Sequence, residues 1–376
     1  MKRRTFLNNL ALIGWILPDL YRTDVKKKSQ NTCMKEMQKN WIWLRPAGQL
    51  SLDELKKEFS RLKLSGIDAV LALCYDGRYA YYGSQVVPVK SRFLEEILPL
   101  AKSHDLEVHA WIFSLICNMD SIIESHQDWF NINRDLKSSC AEPPYVGYYR
   151  WLCPSHPEVV QFVQNIVTEL CQYSELAGIQ LDYIRYPDVI LPKRLQGKYG
   201  LVQDRELPEF DFCYCDICRK NFEAISNKDP LNLESPENDL DWRSFREQKI
   251  SSLVSKFAGI VRKENKTISA AVFATPTLAK KYVRQDWSNW DLDAVFPMIY
   301  HNFYDQEVKW IEQATKEGKM ALSDRMALYS GVFIPSIPAE DLHAVLKRVR
   351  AGGADGISFY SWNAMTAAHW QVLGEK

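Results

Sequence analysis

Residues 178–187 read Gly-Ile-Gln-Leu-Asp-Tyr-Ile-Arg-Tyr-Pro, an apolar strand that ends in an acid and is stopped by proline. Side chains alternate across a strand, so Ile179, Leu181 and Tyr183 share one face and Gln180, Asp182 and Ile184 the other. An acid at the end of such a strand can act on a substrate; the bland alternative is an ion pair with Arg185 or a cap on the next element. Hydrolysis of a glycosidic bond needs two carboxyl groups, one to protonate the leaving oxygen and one to attack or to activate water. Asp182 is the first candidate, as nucleophile or charge stabiliser. Asp286 is the preferred partner, because it follows the fifth expected strand, the neighbour of the Asp182 strand, and because Trp287 and Trp290 give it an apolar setting that could raise its pKa and keep it protonated. A separation of about 5 to 5.5 Å would imply retention and about 6.5 to 9.5 Å inversion. If Asp286 points away from the site, Asp76 or Asp120 inherits the role.

A second cluster is Cys213-Tyr214-Cys215-Asp216-Ile217-Cys218. Its C-x-C-x-x-C spacing can supply three thiolates to a structural zinc, with a fourth ligand from elsewhere; the alternative is a disulfide plus a spare thiol, which export would favour. A zinc-dependent deacetylase or hydrolase built on these thiols is the weaker reading, since three thiolates suit a closed structural site better than an open catalytic one. The chain has nine cysteines, an odd number scattered through a long sequence, which excludes a small disulfide scaffold.

These groups need a large frame, and 376 residues with 46% apolar content can bury one. Formal net charge is zero and there is no long basic stripe, which argues against nucleic acid as the partner. Met1-Lys2-Arg3-Arg4 followed by the apolar run 10–17 resembles a twin-arginine export signal. That run is too short for a comfortable membrane span. Residues 18–38, with Lys26-Lys27-Lys28, read as a tether, so 1–38 are assigned to signal and tether and 39–376 to one domain of periplasmic or extracellular destination.

Strand and helix signals then alternate as repeated βα units. Strands are expected at 41–45, 67–74, 106–113, 178–184, 268–273, 294–300, 327–333 and 356–360, several as nearly unbroken apolar runs typical of parallel strands buried on both faces. Ser51 and Glu54 form a capping box for a helix reaching about Lys63, and further helices are expected at 93–103, from 157 and at 242–263. Eight strands with helical crossovers give an α/β fold, a (β/α)8 TIM barrel with a long polar insertion, 187–241, after strand four. A doubly wound sheet is the alternative, but no Gly-rich phosphate loop follows any strand, and no organic cofactor is required.

In a barrel of this kind the site lies at the C-terminal ends of the strands. Parity collects Trp43 and Arg45, His109 and Trp111, Met298 and Tyr300, and Tyr360 and Trp362 at one mouth, with Asp76 and Arg185 just beyond strand ends. Trp43, Arg45, Asp76, His109, Trp111, Arg185, Tyr300 and Trp362 are therefore the candidate substrate-binding residues. Flat apolar rings with polar edges suit sugars. Asp293 and Asp355 precede their strands and read as structural.

Six motifs, taken together, resemble the bacterial glycosyl hydrolase-like family ten, a group of secreted barrels distinct from classical xylanases. They are Tyr75-Asp76-Gly77 with Tyr82-Gly83-Ser84, Val108-His109-Ala110-Trp111, Trp151-Leu152-Cys153-Pro154 with Pro157-Glu158-Val159, residues 178–187, Gln285-Asp286-Trp287 with Trp290, and Pro297-Met298-Ile299-Tyr300. The resemblance implies a barrel that acts on a polysaccharide or cell-wall glycan, with Asp182 as the strand-four carboxylate and Asp76 and Asp286 at family positions. Cys153 and Phe113-Ser114 depart from the pattern, which leaves a catalytically inactive carbohydrate-binding barrel as the alternative.

Overall fold

A computed structural model describes residues 39–46 and 50–374. The expected signal and tether, including Lys26 to Lys28, lie outside them. Eight strands, β1 (Lys39–Leu44), β2 (Ala69–Tyr75), β3 (Glu107–Phe113), β4 (Gly178–Asp182), β5 (Thr267–Phe273), β6 (Ala294–Met298), β7 (Ala327–Phe333) and β8 (Gly356–Tyr360), follow one another around a closed barrel. All neighbours are parallel, and closure pairs β1 with β8, Trp41 lying opposite Ser358. Helices fill the crossovers: α1 (Leu52–Leu64), α2 (Phe93–Ser103), α3 (Asp120–Ser125), α4 (Pro157–Cys171), α5 (Lys193–Gln196), α6 (Asp216–Ser226), α7 (Leu240–Lys263), α8 (Pro276–Val283), α9 (Trp310–Ala321) and α10 (Leu342–Ala351), with α11 (Ala367–Gly374) after the last strand. The molecule is thus a (β/α)8 TIM barrel.

Local chemistry sets the element ends. Ser51 caps α1: its hydroxyl accepts the Glu54 amide at 3.3 Å and Glu54 returns the bond to the Ser51 amide at 2.7 Å, the expected capping box. Pro157 and Pro276 occupy first-turn positions of α4 and α8, where no helical N–H is lost. The strands are short and almost entirely buried because helices cover their outer face and side chains fill the lumen. Trp41 packs edge-on to His109 and Phe296 with centroids at 4.7 and 5.0 Å, and Trp43 edge-on to Trp111 at 4.8 Å. At the N-terminal face Asp293 accepts the Ile268 amide at 2.8 Å and Asp355 the Leu328 amide at 2.9 Å, the structural roles expected of them.

The 187–241 insertion is anchored by charge. Arg246 of α7, fully buried, donates to Asp211 and, at 2.9 Å, to the Phe212 carbonyl. Arg284 lies 3.6 Å from the same Asp211 oxygen and also donates to Glu206, while Tyr214 donates its hydroxyl to Asp211 at 2.5 Å. Burial pushes the Asp211 carboxyl up, but Arg246 and Arg284 outweigh it and the net shift is downward. Arg246→Ala should cost about 3–5 kcal/mol, the range for stripping one partner from a buried pair, measured by denaturant unfolding at neutral pH. Because Asp211 titrates low in the native state, the stabilisation it carries is complete above the unfolded carboxyl value of about 3.9 and is lost as pH falls through its lower native value. The destabilisation by Arg246→Ala should accordingly shrink in strong acid.

Candidate functional site

A cavity of about 340 Å³ opens at the C-terminal mouth of the barrel. Trp43 and Asp182 form part of its floor, Met298, Tyr300, Phe333 and Tyr360 its strand-side wall, and Tyr148, Tyr149, Arg185, Asp188 and Tyr199 its loop side. A wider hollow, about 730 Å³, lies at the opposite face among Lys39, Asp68 and Glu107, far from the strand ends where barrel chemistry is built.

Asp182 is the last residue of β4, and its carboxyl has two donors. The Trp111 indole Nε1 donates to Oδ2 at 2.9 Å and the Tyr183 amide to Oδ1 at 2.7 Å. Tyr183 itself takes a left-handed φ of 50°, uncommon for a bulky residue, so the chain turns directly after the donor. Burial raises the Asp182 pKa; the Trp111 and Tyr183 donors and the positive charges of Arg185 and Arg45 work in the opposite direction without overcoming it. Arg45 stacks over the Trp111 ring at 4.7 Å and donates to the Tyr360 hydroxyl at 3.2 Å. Arg185 is buried against Trp151 and Phe273, at 4.8 and 5.0 Å, and donates to Asp188 Oδ2 at 2.9 Å.

Of the residues singled out from sequence, Trp43, Arg45, Trp111, Asp182, Arg185 and Tyr300 come together at this mouth. Asp286 does not. The β5–β6 crossover contains α8, so Asp286 follows that helix instead of the strand end; it contacts Lys280 at 2.8 Å and accepts both Asn289 bonds at 3.0 Å. Its charge also acts on Glu247 of α7, which puts it in the outer helical layer. The expectation of an Asp182–Asp286 pair across one cavity is corrected accordingly.

Asp76 and Asp120, next in line, do not line the cavity and have partners of their own. Asp76 organises the turn after β2, accepting the Arg78 and Tyr79 amides at 2.9 and 2.7 Å and the Tyr81 hydroxyl at 2.8 Å. The following Gly77 has φ 88°, and a Cβ there would meet Ile116 at 2.9 Å, which accounts for the Tyr75-Asp76-Gly77 motif as a backbone requirement. Asp120 is an exposed partner of Arg78 at 2.6 Å.

His109 and Trp362 also depart from the expected bowl. His109 is in the lower half of the lumen, opposite Gly178, with Nε2 3.3 Å from Glu107; a Cβ on Gly178 would come within 2.4 Å of its Nδ1. Burial lowers its pKa, and its surroundings are those of a core histidine. Trp362 lies two residues past β8 in a 3₁₀ turn, where strand parity no longer holds, and its indole donates to Glu58 of α1 at 3.1 Å.

The sequence reading did not anticipate Asp188, nor the tyrosines supplied by loops; the run Tyr145 to Tyr149 was the available signal for the latter. Cys213, Cys215 and Cys218 are not cavity-lining residues, and Cys153 joins them, all four sulfurs lying within 4.8 Å of one another.

A family model described as glycosyl hydrolase-like 10 matches residues 83–345. No curated protein sequence matches the chain. Among solved structures, the PgaB (BpsB) glycoside hydrolase domain from Bordetella bronchiseptica superposes with a TM-score of 0.69 at 13% identity, covering 90% of this chain and 99% of that one. A β-galactosidase from the Antarctic haloarchaeon Halorubrum lacusprofundi gives 0.64 at 13% identity over 89% of this chain and 57% of its own, and one from Marinomonas ef1 gives 0.59 at 12% over 89% and 58%. The chain therefore spans less than three fifths of either β-galactosidase. At these identities the likeness is one of fold.

Trp111→Phe should move the Asp182 titration upward, read by carboxyl NMR, because it removes a donor to the charged form. The same change should cost about 1–3 kcal/mol of stability, the penalty for an unsatisfied buried acceptor.

Proposed function

The chain belongs to the glycosyl hydrolase-like 10 family, and from that premise we propose that it hydrolyses glycosidic bonds of a polysaccharide or cell-wall glycan, with Asp182 as the essential carboxyl group. The observation that carries the proposal is a carboxyl at the end of β4, open to an aromatic cavity and held by Trp111 and Tyr183 in one orientation. Aromatic faces from Trp43, Tyr148, Tyr149 and Tyr300 offer stacking surfaces for sugar rings. The basic and apolar start of the chain supports delivery beyond the cytoplasm, where such glycans are found.

With Asp286 in the outer layer, Asp188 is the other acid that lines the cavity, and we assign the second carboxylate role to it. The roles follow from environment. Burial raises Asp182, which suits it to carry the proton delivered to the leaving oxygen, whereas Asp188 is paired with the Arg185 guanidinium and offers negative charge. This inverts the sequence-based division of labour, in which Asp182 is nucleophile or charge stabiliser and its partner the acid. A second reading, a sugar-binding barrel without turnover, is favoured by one feature: the Arg185 contact engages the only other acid on the cavity wall among the described residues. Incubation with a panel of glycans and assay for new reducing ends separates the two.

Asp182→Asn should keep the fold, with melting lowered because its amide NH2 must face the Trp111 or the Tyr183 donor, and should lower turnover at least about a hundredfold, the lower range for a positioned acid–base group; near-wild-type activity in a folded variant would sink the assignment. As a proton donor Asp182 works in its protonated form, so kcat/KM should fall on the alkaline side as it ionises. Arg45 holds its pKa down, hence Arg45→Gln should shift that limb to higher pH. A limb that stays put or moves to lower pH would count against Asp182 as the donor.

A further inference from the structure

We infer that Cys153, Cys213, Cys215 and Cys218 form a closed tetrathiolate site for one zinc ion, clamping the 187–241 insertion to the loop that leads into α4. Three of these ligands are local in sequence; the fourth comes from a separate segment, 65 positions before Cys218. The Cys153 sulfur lies 3.6 Å from that of Cys215 and 3.5 Å from that of Cys218. All four fall within 4.8 Å of one another. Zinc–sulfur bonds of about 2.3 Å at tetrahedral angles place sulfurs about 3.8 Å apart, so the cluster has the dimensions of the site. Disulfide sulfurs, at about 2.05 Å, would be far closer, and all four cysteines are free.

The surroundings suit thiolates. Cys215 is the N-cap of α6 and Cys218 lies in its first turn, so the positive end of an eleven-residue helix faces the sulfurs. The Ile132 amide donates to the Cys213 sulfur at 3.4 Å, and Cys153, Cys213 and Cys218 are fully buried. Binding converts four thiols and Zn²⁺ to a tetrathiolate complex of net charge −2 and releases four protons. With every position taken by protein there is no place for water or substrate on the metal, and none of the four cysteines lines the cavity. The site is therefore structural, one step removed from the tyrosine-bearing loops it joins.

Elemental analysis of the full chain, purified without chelators, should find one zinc per chain; less than roughly 0.2 overturns the proposal. Thiol titration in denaturant with chelator should then report all nine cysteines, and a deficit of two that peptide mapping traces to a disulfide involving Cys153, Cys213, Cys215 or Cys218 overturns it as well. Cobalt exchange should produce the strong visible absorption of tetrahedral cobalt–thiolate coordination. Cys153→Ser should lose its zinc on dialysis against a chelator that leaves the wild-type protein loaded, whereas Cys140→Ser, outside the cluster, should keep it. Full zinc retention in Cys153→Ser would remove Cys153 as the fourth ligand. The wild-type measurements decide the matter even if the serine variant fails to fold.

Discussion

A carboxyl sunk among aromatic rings at the top of a filled barrel has to be given hydrogen-bond donors, and the site depends on how Asp182 obtains them. One comes sideways from Trp111 on the neighbouring strand, in a register that pairs Phe113 with Asp182 and leaves Trp111 opposite Gln180. The other comes from the chain itself, the amide of the next residue, Tyr183, after which the backbone turns through a left-handed φ. Both donors favour the charged form and burial favours the neutral one; a group balanced in this way can hold or release a proton with little rearrangement. Trp111 is in turn placed by Trp43 against its edge and Arg45 over its face, so residues of β1, its C-terminal end and β3 converge on a single oxygen pair.

The barrel was legible in the sequence because parallel strands buried on both faces leave near-continuous apolar runs, and each of the eight runs corresponds to a strand. Parity was a sound guide while the chain stayed in a strand: Trp43 and Trp111 do share the lumen, as alternation demands. It failed where strands end. Trp362 was carried into the bowl by extending a period of two into a 3₁₀ turn, and Asp286 by placing it just beyond the end of β5 when α8 intervenes. His109 exposes a different limit, since parity assigns a face but not a height, and β3 starts low enough that His109 fills the barrel floor.

Contacts between distant segments were the least legible. Asp188 became visible only when the loop after β4 folded back over Arg185, and Cys153 only when two loops met. Neither carries a periodic signal, because loop geometry is set by tertiary packing and not by local propensity. The Trp151-Leu152-Cys153-Pro154 motif did mark a departure from the family pattern, and the structure places that departure beside three other thiols.

The loop between β3 and α4 and the insertion after β4 are bound to each other by more than sulfur. Tyr145 stacks on Phe210 with centroids at 4.4 Å, donates to the Asp188 carbonyl at 2.7 Å and accepts from Gln203 at 3.1 Å; the Asn133 side chain donates to the Glu209 carbonyl at 3.0 Å, and Asn133 forms a bridge with Phe212. Two stretches that enter the fold from different strands have thus become one cassette seated on the barrel rim. Substitution in either stretch is constrained by the other. Diversification of what the mouth accommodates must then proceed by paired change, and transplanting this rim onto another barrel of the same kind would require moving both loops together.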